Sequence, residues 1–484
     1  MRHYVTAEFR DFVYAKYPQL EANRQYRKFF EYLCFSCNYC EETGLLLLGG
    51  EIIWKVIRHG TEPYDPHCGT FVPKEFLERF REDLQLTELW WSAVSPGHMR
   101  KLISSGFDAE MQARLDQEIF TFIDTAGKTK YVNFITGLGY YRASQQANRI
   151  TEEEKYQEKR STFQLNATQE KILSHLEALK GQSLFTHKVR ENDALIRKAI
   201  DELDNRNAQY INARIISSIY EHPQIYYQPS SRGLTARLSG YNDSVVTLSS
   251  SVRKALCHGW TECDLRSSQF AILSAKLKAE QCLKFIKSGE SLWNNFHHFT
   301  HGTNTPPPTN LKKDYKKILY SLCYGKPLLH KPEYAFLCKR DGKKYQDDLT
   351  TIAKNAGIPT IVNHPLLREL LELRTIWLKK IKQRGGEYDV WGRFLPIPKD
   401  SWEGSVMACV IQSIEMEIIA PIFDVAQEWG KRSLFQIVCF QHDGATLSFC
   451  NKERQENIQR KLADAVKLRA QELGVTTTLE FKDL

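Results

Sequence analysis

Residues 260–275, WTECDLRSSQFAILSA, read as a short strand running into a helix, with one carboxylate, Asp264, at the junction. Side chains alternate along WTECDL, so Trp260, Glu262 and Asp264 share one face while Thr261, Cys263 and Leu265 share the other. Ser267 or Ser268 is suited to cap the helix that follows, whose apolar positions Phe270, Leu273 and Leu277 fall at helical spacing. A lone Asp before a helix is more often a cap or a turn residue than a functional group. It gains chemical meaning when a second carboxylate arrives from elsewhere, because a two-metal site needs acids that converge on ions ~3.5–4 Å apart.

SLFQIVCFQHDGATLSFC, residues 433–450, supplies the second carboxylate. The runs Leu434–Phe440 and Ala445–Phe449 flank His442-Asp443-Gly444, and Asp-Gly between two strand-like runs signals a hairpin. An ordinary surface hairpin accounts for that pattern equally well. Between the acids lies TNLKKDYKKILYSLCYGK, residues 309–326. Asn310 is placed to cap a helix after Pro306, Pro307 and Pro308, and Lys312, Lys316, Tyr320 and Tyr324 recur four apart along a slowly winding stripe. Two cations followed by two aromatics suit a triphosphate and then a sugar and base. A solvated lysine face over an apolar helix is the plainer explanation.

Together these pieces resemble the family A DNA polymerases, the group that includes bacterial DNA polymerase I. Asp264 resembles the motif A aspartate, Lys312, Lys316, Tyr320, Tyr324 and Gly325 resemble motif B, and His442-Asp443 resembles motif C. Asp264 to Tyr324 spans 60 residues, Tyr324 to Asp443 spans 119, and 41 residues follow Asp443. These intervals match the DNA polymerases; the single-subunit phage-type RNA polymerases share the motifs but carry longer insertions. Thr235-Ala236-Arg237-Leu238-Ser239 is similar to the T-G-R-L-S stretch whose arginine contacts the primer-template minor groove, and Val252–Leu256, with Arg253, to the segment leading into motif A. Trp391–Pro396 is similar to the G-R-x-L-P segment, and Val410–Ser413 to the helix whose glutamine, here Gln412, touches the primer-terminal pair. The likeness covers roughly residues 230–484, more loosely from 150.

The resemblance implies an α+β right-hand polymerase with an antiparallel-sheet palm, helical fingers and thumb, plus an extra, mostly helical N-terminal region. The divisions expected are 1–105 for that region, 106–230 for the thumb and connecting helices, 231–275 for palm with motif A, 276–400 for fingers with motif B, and 401–484 for palm with motif C. It implies template-directed addition of dNTPs to a primer 3′ end. Asp264 and Asp443 would hold two Mg²⁺ ions, with Mn²⁺ able to substitute. Lys316 would stabilise the transferring phosphoryl, Lys312 the triphosphate end, Tyr320 the sugar and Tyr324 the templating pair. Arg237, Arg253, Gln412 and His442 would face DNA.

Some positions depart from the family. Gln269 stands where a glutamate usually blocks the ribose 2′-hydroxyl; Lys312 replaces an arginine and loses its bidentate fork. Gly444 removes the third carboxylate of H-D-E, which implies altered efficiency rather than inactivity. Trp293 replaces a histidine, with His297 and His298 one turn on, and Ala408 replaces an asparagine. The chain thus reads as a divergent member, of the kind carried by a virus, plasmid or mobile element. Two other readings stay open: a primase-like or RNA-synthesising enzyme on the same fold, and a catalytically silent scaffold holding primer-template.

Composition sets the frame. The chain has 484 residues, 42% apolar and 26% charged, which the length prior divides into about three domains. No run approaches the ~20 apolar residues of a membrane span, and the start, MRHYVTAEFRDFVYAKY, has neither a signal core nor a transit composition, so an intracellular protein is expected. Net charge is +8, and residues 312–344 hold ten Lys/Arg against three acids, a local excess that suits phosphate. Twelve cysteines without a secretion signal argue for reduced thiols, eight of them small core residues of the 231–484 half. Cys34, Cys37 and Cys40, with Cys68 and His67, are either a zinc site or buried thiols. No spaced carboxylates of a 3′-5′ proofreading exonuclease are found before residue 235, so none is expected. Residues 1–105 match no recognised pattern and leave room for a replication partner such as a helicase, clamp or terminal protein, none of which the chain identifies.

Overall fold

The alternation in residues 261–265 is realised as a strand, Thr261–Leu265, with Thr261, Cys263 and Leu265 buried and Asp264 on the open face. This strand lies inside a four-stranded antiparallel sheet ordered Phe435–Gln441, Gly444–Phe449, Thr261–Leu265, Leu479–Asp483. The chain, seen in a computed structural model, is described over residues 4–35, 39–40, 45–49, 74–87, 89, 100–104, 106–124, 131–134, 139–140, 154–178, 184–204, 206–221, 225–229, 235, 237–241, 244–329, 348–399, 402–430, 434–441 and 443–484. It divides into two units. The first is Met1–Ser161, Gly181–Gln224 and Asp243–His258; the second is Thr162–Lys180, Ile225–Asn242 and Gly259–Leu484.

Up to residue 105 the described residues of the first unit are mostly helical, in Ala7–Lys16, Gln19–Ala22, Arg24–Phe35 and Lys74–Asp83, with short strands among them. Strand Tyr4–Thr6 pairs with Tyr131–Asn133, which pairs with Gly139–Tyr140, and a second sheet runs Tyr39–Cys40, Leu45–Gly49, Arg100–Ile103. A short apolar run such as LLLLG has no period that separates strand from helix, and its partner lies far along the chain. Because Tyr4–Thr6 pairs beyond residue 105, the unit has no break there. Its core is aromatic: Phe29 meets Phe80 edge-on at 4.9 Å between ring centroids, and Phe35 stacks on Tyr210 at 4.7 Å. Cys34 is buried in this unit; Cys37, His67 and Cys68 lie outside the described residues. Helix Ser250–Leu256 also belongs here and carries Arg253, whose Nη1 donates to the Leu248 carbonyl at 3.2 Å.

In the second unit, helix Ser268–Leu277 follows the central strand and buries Ser268 through Ser274 on every side. It packs on helices Glu280–Ser288, Thr309–Cys323, Pro365–Arg384 and Glu403–Ile419. Ser267 does occupy the cap position, but its side chain makes no capping bond, and Ser268 is turned elsewhere; Ser267 instead takes a left-handed backbone at φ 45°. Asn310 is likewise inside its helix, which starts after Pro308. Helix Pro365–Arg384 opens on a proline and closes on Gly385 at φ 72°, the usual asymmetry of helix ends. Its buried Arg374 donates from Nη1 to the Leu322 carbonyl at 2.7 Å, satisfying the last turn of Thr309–Cys323 just before Tyr324.

Helix Glu403–Ile419 gives way at Pro421 to helix Pro421–Gly430. By length and composition Glu403–Trp429 is apolar enough to cross a bilayer, contrary to the expectation from runs alone, yet 78% of its most apolar window is buried inside the protein. Phe423 from this segment meets Phe440 of the sheet at 5.6 Å. Helix Gln455–Glu472 then leads to the returning strand Leu479–Asp483. Of the described cysteines in the later half, Cys450 is exposed; Cys257, Cys263, Cys282, Cys323, Cys409 and Cys439 are buried. The fold class is α+β.

Candidate active site

The hairpin and the central strand bring the two acids together. Gln441 pairs with Gly444, leaving a two-residue turn that contains Asp443, and Gly444 in turn lies opposite Asp264. The Leu265 amide donates to the Asp443 carbonyl at 3.1 Å, so the turn is tied to the end of the Asp264 strand. The Asp264 carboxylate folds over the α-carbon of Gly444: a Cβ there would meet Asp264 Oδ1 and the Cys263 carbonyl, each at 2.4 Å. His442, between these landmarks, lies outside the described residues.

Asp264 is reachable by solvent but sits where surrounding protein displaces most bulk water. Burial raises its pKa, and the Asp443 and Glu262 carboxylates raise it further, against the pull of Lys316. Asp443 is also raised, again chiefly by burial, with Arg237 and Lys316 opposing. Two acids that cannot both ionise comfortably, with one lysine near both, form an oxygen-rich site short of positive charge. Magnesium takes one or two carboxylates and fills its remaining positions with water or substrate phosphate, so the donor set fits it. Among the described residues no cluster of three or more His, Cys, Asp or Glu forms a metal site.

Burial-raised carboxyls give a pH signature. Such a group binds its proton in the folded state over a range where the unfolded chain has released it, so stability falls as pH rises through that range. Carboxyls held low, such as Glu417 and Asp108, slope the other way, so the site's part is the difference between wild type and Asp264→Asn. Without divalent ion, that difference in melting temperature is expected to grow between about pH 5 and about pH 8, and Mg²⁺ to close it at the upper end only.

The helix Thr309–Cys323 presents its stripe to this end of the sheet. Lys316 is exposed, acts electrostatically on both Asp264 and Asp443, and places Nζ 5.8 Å from the Trp293 ring centroid. Tyr320 is half-buried, and its pKa is raised by burial and then by the Asp443 and Asp264 charges. Lys312 lines a cavity of about 460 Å³ together with Arg266, Ser267, Trp293 and Lys467. His298 is exposed, whereas His297 is turned inward beside the Tyr315 hydroxyl at 3.5 Å. Tyr324 ends the helix, and Gly325 follows at φ 86°, where a Cβ would meet the Gly404 α-carbon at 2.7 Å. That close approach accounts for the Tyr-Gly pair.

The remaining predicted residues form a second layer. Strand Leu238–Gly240 pairs with Tyr227–Pro229, and the Tyr227 hydroxyl accepts from the Phe440 amide at 2.9 Å, which fixes this ribbon to the hairpin. Arg237, just before it, donates to Glu415 Oε2 at 2.6 Å and to the Tyr324 hydroxyl at 3.3 Å. Gln412 accepts from the Thr235 hydroxyl. Gln269 is 2% exposed and donates through Nε2 to Glu415. Arg253 belongs to the first unit and is not part of this grouping. Sequence reasoning missed Glu415, although an acid inside the apolar run SIEMEII was a visible signal.

An α+β fold with one carboxylate on the central antiparallel strand and a second in the hairpin turn beside it is therefore the class that fold and site define. No protein-family model matches the chain, and no curated protein matches it. Among solved structures it is similar to the POL domain of Pol1 from M. smegmatis in complex with DNA primer-template and dNTP, with a TM-score of 0.40 and 14% identity. The match covers 64% of this chain and 66% of that one, just under two thirds.

Proposed function

We propose that this chain is a template-directed DNA polymerase of the family A type, extending a primer with dNTPs and lacking a proofreading exonuclease. The observation that carries the reading is the pairing of Asp264 with Gly444 in register, which sets Asp264 beside Asp443 with Lys316 acting on both. Duplex binding alone has no use for paired acids, which repel phosphate unless a cation intervenes, and this argues against a silent scaffold.

In this reading Asp264 and Asp443 hold Mg²⁺, which when bound lowers the pKa of the primer 3′-hydroxyl and neutralises the triphosphate. Lys316 offsets charge on the transferring phosphoryl, and Lys312, in its cavity, meets the far end of the triphosphate. Tyr320 packs on the sugar and Tyr324 on the templating pair. Gln269 limits the room for a 2′-hydroxyl. Lys316 also lowers the pKa of both acids, which favours the ionised form a cation needs. An RNA-synthesising enzyme is the second reading, and Gln269 favours it by supplying an amide where a charged gate is expected.

The test is extension of a labelled primer on a DNA template with Mg²⁺, comparing dNTPs with rNTPs. The expected result is extension by dNTPs and weak extension by rNTPs. Efficient use of rNTPs would move the assignment to RNA synthesis, and duplex binding without extension by either would leave the scaffold.

A further inference from the structure

Glu415 and Glu417 lie two residues apart on helix Glu403–Ile419 and live in opposite circumstances. Glu417 is partly buried, yet donors from Thr168 Oγ1 at 2.6 Å, Trp391 Nε1 at 2.9 Å and Arg469 outweigh burial and hold its pKa low. Glu415 is 1% exposed, and burial raises its pKa although Arg237 opposes. A buried ion pair of this kind seldom stabilises more than packed apolar side chains would, so fold stability is a poor reason for it.

What Glu415 does hold is specific. Its Oε1 accepts from Ser268 Oγ at 2.8 Å and from Gln269 Nε2, and its Oε2 accepts from Arg237 Nη2. A carboxylate only accepts, so the Gln269 amide has to present its NH₂ group to it. The amide oxygen is thereby turned away, and it is buried without a hydrogen-bond partner. Leaving a buried acceptor without a partner is unfavourable, and rotation of a free side chain would relieve it. Arg237 carries the same anchor onward to the Tyr324 hydroxyl at 3.3 Å. Glu415 is also close enough to act electrostatically on Asp264, Tyr320 and Tyr324.

We propose that Glu415 is the positioning residue for nucleotide selection, one buried carboxylate that fixes Gln269 beneath the sugar and, through Arg237, Tyr324 beside the base. This rests on the polymerase reading above. Gln269 carries no charge and has a freely rotating amide; as a wall against a 2′-hydroxyl it works only while it is held. Glu415 holds it, at the expense of the unpartnered oxygen.

Single-nucleotide incorporation with a dNTP and the matching rNTP, at saturating duplex, measures this. Glu415→Ala is expected to lower the dNTP-to-rNTP ratio of kcat/KM by about tenfold, mainly through a lower KM for the rNTP. Glu415→Gln retains an oxygen for Gln269 Nε2 and is expected to keep the ratio within about threefold, while raising KM for both sugars through the loss of the Arg237 partner. Gln269→Ala should lower the ratio as far as Glu415→Ala does, and the double variant no further. Should Glu415→Ala fail to fold, Glu415→Leu fills the same volume and reads the same ratio. An equal loss of rate on both sugars, with the ratio unchanged, would mean Glu415 is only structural and would overturn the proposal. A wild type that incorporates neither sugar removes the polymerase reading itself, a separate failure.

Discussion

Asp443→Asn, and separately Asp264→Asn, should reduce primer extension by about a thousandfold or more while leaving the protein as stable as wild type or more so, since in the proposed polymerase each removes a ligand from a two-metal site. The two halves of that expectation come from the same geometry. Asp264 lies on the strand next to the hairpin whose turn carries Asp443, each raised in pKa by burial, with Asp443 a further cause at Asp264. Removing one charge relieves the other, so the remaining acid titrates lower and the apo fold loses a repulsion. Most substitutions destabilise; one that abolishes activity and raises the melting temperature in EDTA points to a site built for a cation. The measurement is single-turnover extension with Mg²⁺ beside a melting curve in EDTA. A variant retaining more than about a tenth of the rate would show that its carboxylate is not a metal ligand.

Much of this site was legible because its signals are local. Asp443-Gly444 between two apolar runs gives the hairpin, and the alternation of 260–265 gives the face of Asp264; both are backbone rules that need no tertiary context. Cap chemistry was less legible. Ser267 stands at the cap position but contributes no side-chain bond, because its left-handed backbone continues the turn out of the strand, and Ser268 is drawn to Glu415 by a contact 147 residues away in sequence. The Glu415 network was legible only as separate residues: each member stands in its own segment, and only the packing of Ser268–Leu277 against Glu403–Ile419 turns them into one unit. The short strands within residues 1–105 stay hidden for the same reason, since pairing between Tyr4–Thr6 and Tyr131–Asn133 leaves no mark in either segment.

Gly444 is where sequence and structure give different advice, and the difference can be tested. By resemblance the position lacks a third carboxylate, which invites Gly444→Glu as a repair. In the structure any side chain there fails first on space, because its Cβ would lie 2.4 Å from both Asp264 Oδ1 and the Cys263 carbonyl. The carbonyl belongs to the central strand, paired on both sides, and has little freedom to move. The Asp264 carboxylate is the softer neighbour and will rotate away, carrying a proposed metal ligand off its position. Gly444→Ala is therefore expected to lower the extension rate by about a hundredfold, the scale on which a displacement near 1 Å acts, and to destabilise the fold by roughly 1–3 kcal/mol through the carbonyl contact. Gly444→Glu should fall at least as far, since it has the same Cβ and adds an anion to acids already short of positive charge. Extension rates with urea melts of the three proteins decide the matter. Alanine within about threefold of wild type would mean that the strands part easily at this point, and a glutamate variant faster than wild type would mean that charge, not space, governs position 444.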